Sequence, residues 1–363
     1  MKTRFPLGMA CLALLCACST VVPRNSASPA PEASFKVDAV IPEAWISTTS
    51  PAEELDSLAV WGSEEGPTWL IATGKSSHTL IVYDAESGVR LRTVGGPGTG
   101  PLQFGRPNGI AVHGDLLFVA ERDNHRVQVL QLPGFTPLGI LGEEILRVPY
   151  GLWVREASPG DLELFVTDSF MADFRTRELP PMAELDQRVK RFGVRIDEDG
   201  KLQARYLGAF GDTGQAGALR MVESIAGDTI NERLLIAEED RRVGSTLREY
   251  SLEGHYLARD LPPFDADAEG ISLWACDAGE GYWIAVDQLV PTVFRLFERN
   301  SLAPVKTFSG RIVANTDGQT LYAVPTPRFP AGALYALHDD KAVAAFDLRE
   351  VAVTLGLSPR CMQ

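Results

Sequence analysis

The sequence predicts an all-β fold, a six-bladed β-propeller, and three observations predict it. Six times a polar residue is followed by a small residue and a short apolar run: DSLAVW from Asp56, NGIAV from Asn108, YGLWV from Tyr150, ESIAG from Glu223, EGISLW from Glu269 and DGQTLY from Asp317. Each is followed by a second apolar run that ends in a polar cluster: WLIATGK to Lys75, LLFVAER to Arg122, LFVTDS to Ser169, LLIAEE to Glu239, YWIAVDQ to Gln288 and LYALHD to Asp339. The unit recurs at roughly 40 to 70 residues, the spacing of a propeller blade.

Taken in order, the units read as blades joined by turns. Hairpins are marked by AESG at 85–88, LPG at 132–134, DEDG at 197–200 and LEG at 252–254, where glycine or a small acid gives the backbone the freedom a tight turn needs. The run GGPGTGPLQFGRPNG at 95–109 is a loop returning from the outside of blade one to the channel. Blade three carries an excursion at 170–188, polar and broken by Pro180 and Pro181, which is expected to be a disordered surface insertion unless it forms a lid or partner site.

In a propeller the innermost strands line one channel, so equivalent positions converge. Asp56, Glu223, Glu269 and Asp317 are therefore expected at one mouth, with Lys75, Arg122 and Glu239 in a second ring beside them. Clustered carboxylates repel one another unless a cation lies among them, and an oxygen-only donor set suits Ca²⁺. The histidines at 78, 113, 125, 255 and 338 show no metal-ligand spacing and are assigned to turns.

The N-terminus reads as an export signal over residues 1–17, with Lys2 and Arg4 ahead of an apolar run too short for a permanent span. Leu15 to Cys18 resembles a bacterial lipobox, which implies that Cys18 is lipidated; Ser19 after it favours the outer membrane, facing the periplasm. Residues 18–40 are the lipidated cysteine and a flexible tether, and 41–363 are the propeller domain. The formal charge of −14 argues against a nucleic-acid partner. A closed propeller has no edge to protect, so a monomer is expected. Cys276 and Cys361 are left either as a disulfide tying the tail to blade five or as two separate thiols.

Two family resemblances follow. GPLQFGRPNGIAV with VAERDNHRVQVL resembles an NHL-type propeller repeat, in which Asp123, Asn124 and Arg126 are scaffold. ESIAGDTINERLLIAEED, DAEGISLW, PYGLWV and ATGKSSHTLIVYD together resemble the β-propeller phytases, calcium-dependent phosphatases of inositol hexakisphosphate. That second resemblance spans the whole propeller. It implies calcium ligands at Tyr150, Glu223, Glu239, Asp267 and Glu269, with Asp56 and Asp317 at looser matches, and phosphate-binding cations at Lys75 and Arg122. It also shows losses: one carboxylate is missing beside Asp56, an acid and an arginine after Asn108, and a lysine where Ser169 stands, for which Lys190 or Arg191 is the expected substitute.

The function so implied is a calcium-dependent phosphomonoesterase acting on phytate or a related polyphosphorylated small molecule, with Lys75, Arg122 and Glu239 in catalytic positions. The alternative is a non-catalytic propeller lipoprotein that binds a protein, glycan or phosphorylated ligand through the same mouth. A metal-dependent lactonase is less favoured, because Lys75 and Arg122 suit an anionic substrate.

Overall fold

The computed structural model describes residues 1, 36–63, 66–276 and 279–362. Apart from residue 1, the expected signal over 1–17 and the expected lipidation site at Cys18 lie outside the described residues. Among the described residues no helix is long and apolar enough to cross a membrane. The chain forms six sheets arranged as the six blades of a propeller. The inner strands are Leu55–Trp61, Pro107–His113, Pro149–Ser158, Val222–Asp228, Ala268–Ala275 and Gln319–Tyr322.

Strands alternate their side chains between two faces, and in a blade both faces meet a neighbour. The second strands are therefore apolar on both sides; Arg233–Glu238 is buried at every position. Each interface between blades is filled by its own apolar cluster. Ala59, Ile71 and Leu80 of blade one pack on Ile110, Leu117 and Val119 of blade two, and Leu58, Ala72 and Tyr83 meet Tyr335, Leu337 and Val343 where blade six closes on blade one.

Closure uses the N-terminus. Blade six supplies only three strands of its own, and the fourth is Trp45–Ile46, paired antiparallel with Ala342–Asp347. Just before it, Ala39–Val40 pairs in parallel with Pro304–Ser309, the outer strand of blade five, and the Ile41 amide donates to the Ser309 carbonyl at 2.9 Å. The folded body thus begins ahead of residue 41, inside the segment expected to be tether, because these residues satisfy backbone groups on two otherwise open edges.

The excursion at 170–188 has a defined conformation, one of the alternatives the sequence left open. It carries a short 3-10 helix, Met182–Gln187, with Leu185 buried. Arg188 is fully buried and its guanidinium donates to four carbonyls, those of Leu219, Asp168, Phe170 and Arg220. That array ties both ends of the loop to blades three and four, which a count of polar residues does not reveal. At the other end of the chain, helix α1 (Leu348–Leu355) is capped by Asp347 and stops at Gly356 in the left-handed region. The tail beyond it reaches blade five, where Cys361 and Cys276 form a disulfide.

Candidate metal centre at the propeller mouth

The six polar residues of the repeated motif occupy one structural position. In the first five blades the inner strand bulges just after its first paired residue, so that Leu55 faces Gly74 but Leu58 faces Ala72, and the same shift recurs at Pro107/Ile110, Pro149/Leu152, Val222/Ile225 and Ala268/Ile271. A bulge places two residues against one and re-aims a side chain. The residues inside these bulges are Asp56–Ser57, Asn108–Gly109, Tyr150–Gly151, Glu223–Ser224 and Glu269–Gly270, and Asp317–Gly318 precedes the corresponding strand of blade six.

The small second residue is explained by the next blade. A Cβ on Gly109 would lie 2.0 Å from the Tyr150 carbonyl oxygen, and one on Gly318 would lie 2.3 Å from that of Asp56. A threonine hydroxyl bridges the same approach in two blades: Thr73 Oγ1 accepts from the Ser57 amide at 3.0 Å and donates to the Asn108 carbonyl at 2.7 Å, and Thr167 Oγ1 accepts from the Gly151 amide at 2.7 Å and donates to the Glu223 carbonyl at 2.6 Å. The channel runs on beyond this ring: its cavity, about 460 Å³ in volume, is lined by the residues that follow the ring along each inner strand, from Ser57–Val60 in blade one to Gly318–Tyr322 in blade six.

The second ring is equally regular. The amides of Lys75, Arg122, Ser169, Glu239 and Gln288 donate to the carbonyls of Glu54, Arg106, Val148, Met221 and Asp267, each two residues before the ring residue of its own blade. Immediately before this ring, four blades carry a buried acid with a different task. Glu121, Asp168, Glu238 and Asp287 accept backbone amides of the loop entering their blade, as Glu238 does from Met221 at 3.1 Å, and each has a third-strand cation near it: Arg126, Lys190, Arg248 and Arg295. These acids hold the loops and leave the residues after them free to face the mouth.

Glu223, Glu239 and Glu269 converge, with one carboxylate oxygen from each within 4.8 Å of the others. Burial pushes Glu223 up to about 8, and the nearby Asp56 adds to the shift. Glu239 is driven well above the usual carboxylate range by burial and then by Glu223 and Glu269, and Glu269 by burial and then by Glu223 and Asp317. Glu239 Oε1 is buried without a protein partner. Tyr150 is held protonated by burial first and by the neighbouring Glu223 and Asp56 next.

Beside this trio lies a compensated group. Lys75 Nζ is 2.8 Å from Asp56 Oδ1, 3.2 Å from Asp317 Oδ2 and 3.9 Å from Glu54 Oε1. Burial works against the ammonium charge, but Asp56 and Asp317 outweigh it and hold Lys75 well above its ordinary value. Asp317 also accepts from Gln288 Nε2.

Two anticipated residues have arginine–carboxylate partners of their own, although the Asp267 charge still acts on Glu239 and Glu269. Arg122 keeps its place in the second ring, yet its Nε donates to Asp123 Oδ1 at 2.8 Å, a carboxylate one residue away. Asp267 is taken in a two-pronged contact by Arg241, at 2.6 and 2.9 Å. The expected substitutes for the missing lysine are also unavailable to the mouth: Lys190 is buried on Asp168 and Arg191 pairs with Glu163.

Two residues join the mouth without having been anticipated. Asp340, next to the second-ring Asp339, is pushed up to about 8 by burial and then by Asp317, with which it shares a hydrogen bond. The doubled acid at the end of LYALHDD was the available signal. Arg106 reaches Glu54 Oε1 at 2.9 Å and so adds a cation beside Lys75.

With this geometry in view, comparison with known proteins is informative at one blade. Residues 104–130 match the NHL repeat family. They are the part of blade two in which Glu121 receives Arg126 at 2.7 Å, so Asn124 and Arg126 are scaffold as the resemblance implied. No match is found among curated proteins. Among solved structures, the chain is similar to the crystal structure of a nidogen/laminin complex, at 15% identity over 74% of this chain and 84% of that one, with a TM-score of 0.47. It is also similar to Kuenenia stuttgartiensis hydrazine synthase, at 10% identity over 85% and 81% of the two chains, with a TM-score of 0.44.

Proposed function

We propose that the mouth is a divalent-cation centre and that the protein is a calcium-dependent phosphomonoesterase of phytate or a related polyphosphorylated substrate. The carrying observation is the convergence of Glu223, Glu239 and Glu269 within 4.8 Å. The donor set fits a hard cation: it is made of oxygens, it holds no thiolate or imidazole, and one of its oxygens, Glu239 Oε1, is buried and unmatched. Glu223, Glu239 and Glu269 would hold the ion, with Tyr150 at their side. When bound, the ion supplies charge neutralisation for phosphoryl oxygens and an acidified water.

The chain's own residues then bind and orient. Lys75, fixed by Asp56 and Asp317, presents a permanent ammonium at the edge of the acidic cluster, where a phosphate oxygen can be received. Arg106 extends that positive edge. Without such compensation the chain's charge of −14 opposes a polyanionic substrate. Each uncompensated like-charge pair at about 4 Å costs on the order of 1 to 4 kcal/mol. By the same reading the lipidated Cys18 anchors the protein to the outer membrane on its periplasmic face.

A second reading, a propeller that binds its ligand without turnover, is favoured by one specific observation: Lys75 and Arg122 both already have carboxylate partners. Release of inorganic phosphate from phytate separates the two. Release that requires Ca²⁺, stops with chelator and is lost in Glu239→Gln supports the esterase. Absence of release from folded protein that still binds Ca²⁺ leaves the binding propeller.

A further inference from the structure

Asn108 occupies the ring position of blade two, between Asp56 and Tyr150. Its side chain is fully buried, and neither Oδ1 nor Nδ2 has a hydrogen-bond partner in the protein. Its backbone carbonyl is satisfied, by Thr73 Oγ1 at 2.7 Å, so the side chain alone is orphaned. This is not how the blade treats amides in general: Asn124 in the same blade donates to the Gly98 carbonyl at 2.8 Å and to Glu121. A buried amide with both ends unmatched is destabilising and calls for a ligand that is absent from the fold itself.

The bulge of blade two gives the Asn108 backbone the position that the bulges of blades one, four and five give Asp56, Glu223 and Glu269. The carboxylates at those three equivalent positions interact with one another across the mouth. Its neutrality also has a reason. Lys75 already balances Asp56 and Asp317, so a further carboxylate would add an unbalanced charge, whereas an amide adds an oxygen ligand without one.

We propose that Asn108 is a ligand residue of the mouth: its Oδ1 completes the oxygen shell of the divalent cation, and its Nδ2 donates to an anionic oxygen that the cation carries. This rests on the cation reading of the centre. It assigns a role to a residue for which the family resemblance supplied none, the losses it marks lying after Asn108.

The test is thermal unfolding of the full chain during a Ca²⁺ titration, for the wild type, Asn108→Leu and Asn108→Asp. Binding to the native state raises the melting temperature in step with ion concentration over the dissociation constant. Asn108→Leu, which removes both unmatched groups at similar volume, is expected to melt at or above the wild type in chelator and to need at least about tenfold more Ca²⁺ for half of its response. Asn108→Asp keeps the shape and is expected to melt lower in chelator and to respond at lower Ca²⁺. Unchanged Ca²⁺ midpoints in both variants would overturn the assignment while leaving the centre in place. A wild type that does not respond to Ca²⁺ at all would remove the centre, and the role of Asn108 with it.

Discussion

Lys75 Nζ lies 2.8 Å from Asp56 Oδ1 and 3.2 Å from Asp317 Oδ2, joining the first and last blades across 242 residues of sequence. The ammonium performs on this side of the mouth the neutralising task that the three glutamates leave to a cation on the other. Lys75→Met would leave two buried carboxylates unpaired, and breaking a buried pair from one side costs about 3–5 kcal/mol. Denaturant unfolding in chelator is expected to show a loss of that order. Added Ca²⁺ is expected to recover part of it, so that the variant gains more from the ion than the wild type does.

Glu238 and Glu239 are adjacent acids with opposite roles. Glu238 accepts the amides of Arg220, Met221 and Asp240, and so holds the loop into blade four. Glu238→Ala strands buried donors and should lower stability by about 2–4 kcal/mol whether or not Ca²⁺ is present. Glu239→Gln removes a repelling charge from the trio. It is expected to melt at or above the wild type in chelator and to lose the Ca²⁺ response. Comparing the two melts with and without ion checks both statements.

The pH dependence has a definite sign. Glu223 and Asp340 stand at about 8 in the folded protein, raised first by burial, against about 4 in an unfolded chain. Between those values the native state binds more protons, so this contribution to stability is fully present below about pH 4 and is lost as pH rises toward 8. Ca²⁺ competes for the same oxygens and must displace the protons. Melting temperatures at pH 5, 6.5 and 8 should therefore show a Ca²⁺-induced rise that grows with pH, and in chelator this part of the stability should decline over the same range.

The disulfide between Cys276 and Cys361 closes a loop of 85 residues and holds the C-terminal tail on blade five. Loop closure over that length is worth about 4.6 kcal/mol at most in the chain-entropy description. Cys361→Ser should lower stability by about 2–4 kcal/mol while leaving the Ca²⁺ midpoint unchanged, since the bond lies away from the mouth.

Much of this was legible from residue order. The polar-small-apolar motif marks the bulge in the first five blades and the entry to the inner strand of the sixth, and its six polar residues are the ring that forms the mouth. Local spacing sufficed there because the bulge is a local event. What the sequence did not disclose depends on competition between neighbours. Arg122 has the right place and the wrong partner, because Asp123 stands one residue away. Asp267 is likewise captured by Arg241. Arg188 orders the 170–188 loop through four carbonyls on two blades. Trp45–Ile46 completes blade six from the opposite end of the chain. Contacts of that reach leave no periodic trace.

The most direct measurement is a calorimetric titration of Ca²⁺ into the purified, chelator-treated protein at pH 8, beside Glu239→Gln under the same conditions. A cation centre built on Glu223, Glu239 and Glu269 gives saturable binding to the wild type, with protons released, and none to the folded variant. Absence of binding to the wild type, or equal binding to both proteins, would contradict it.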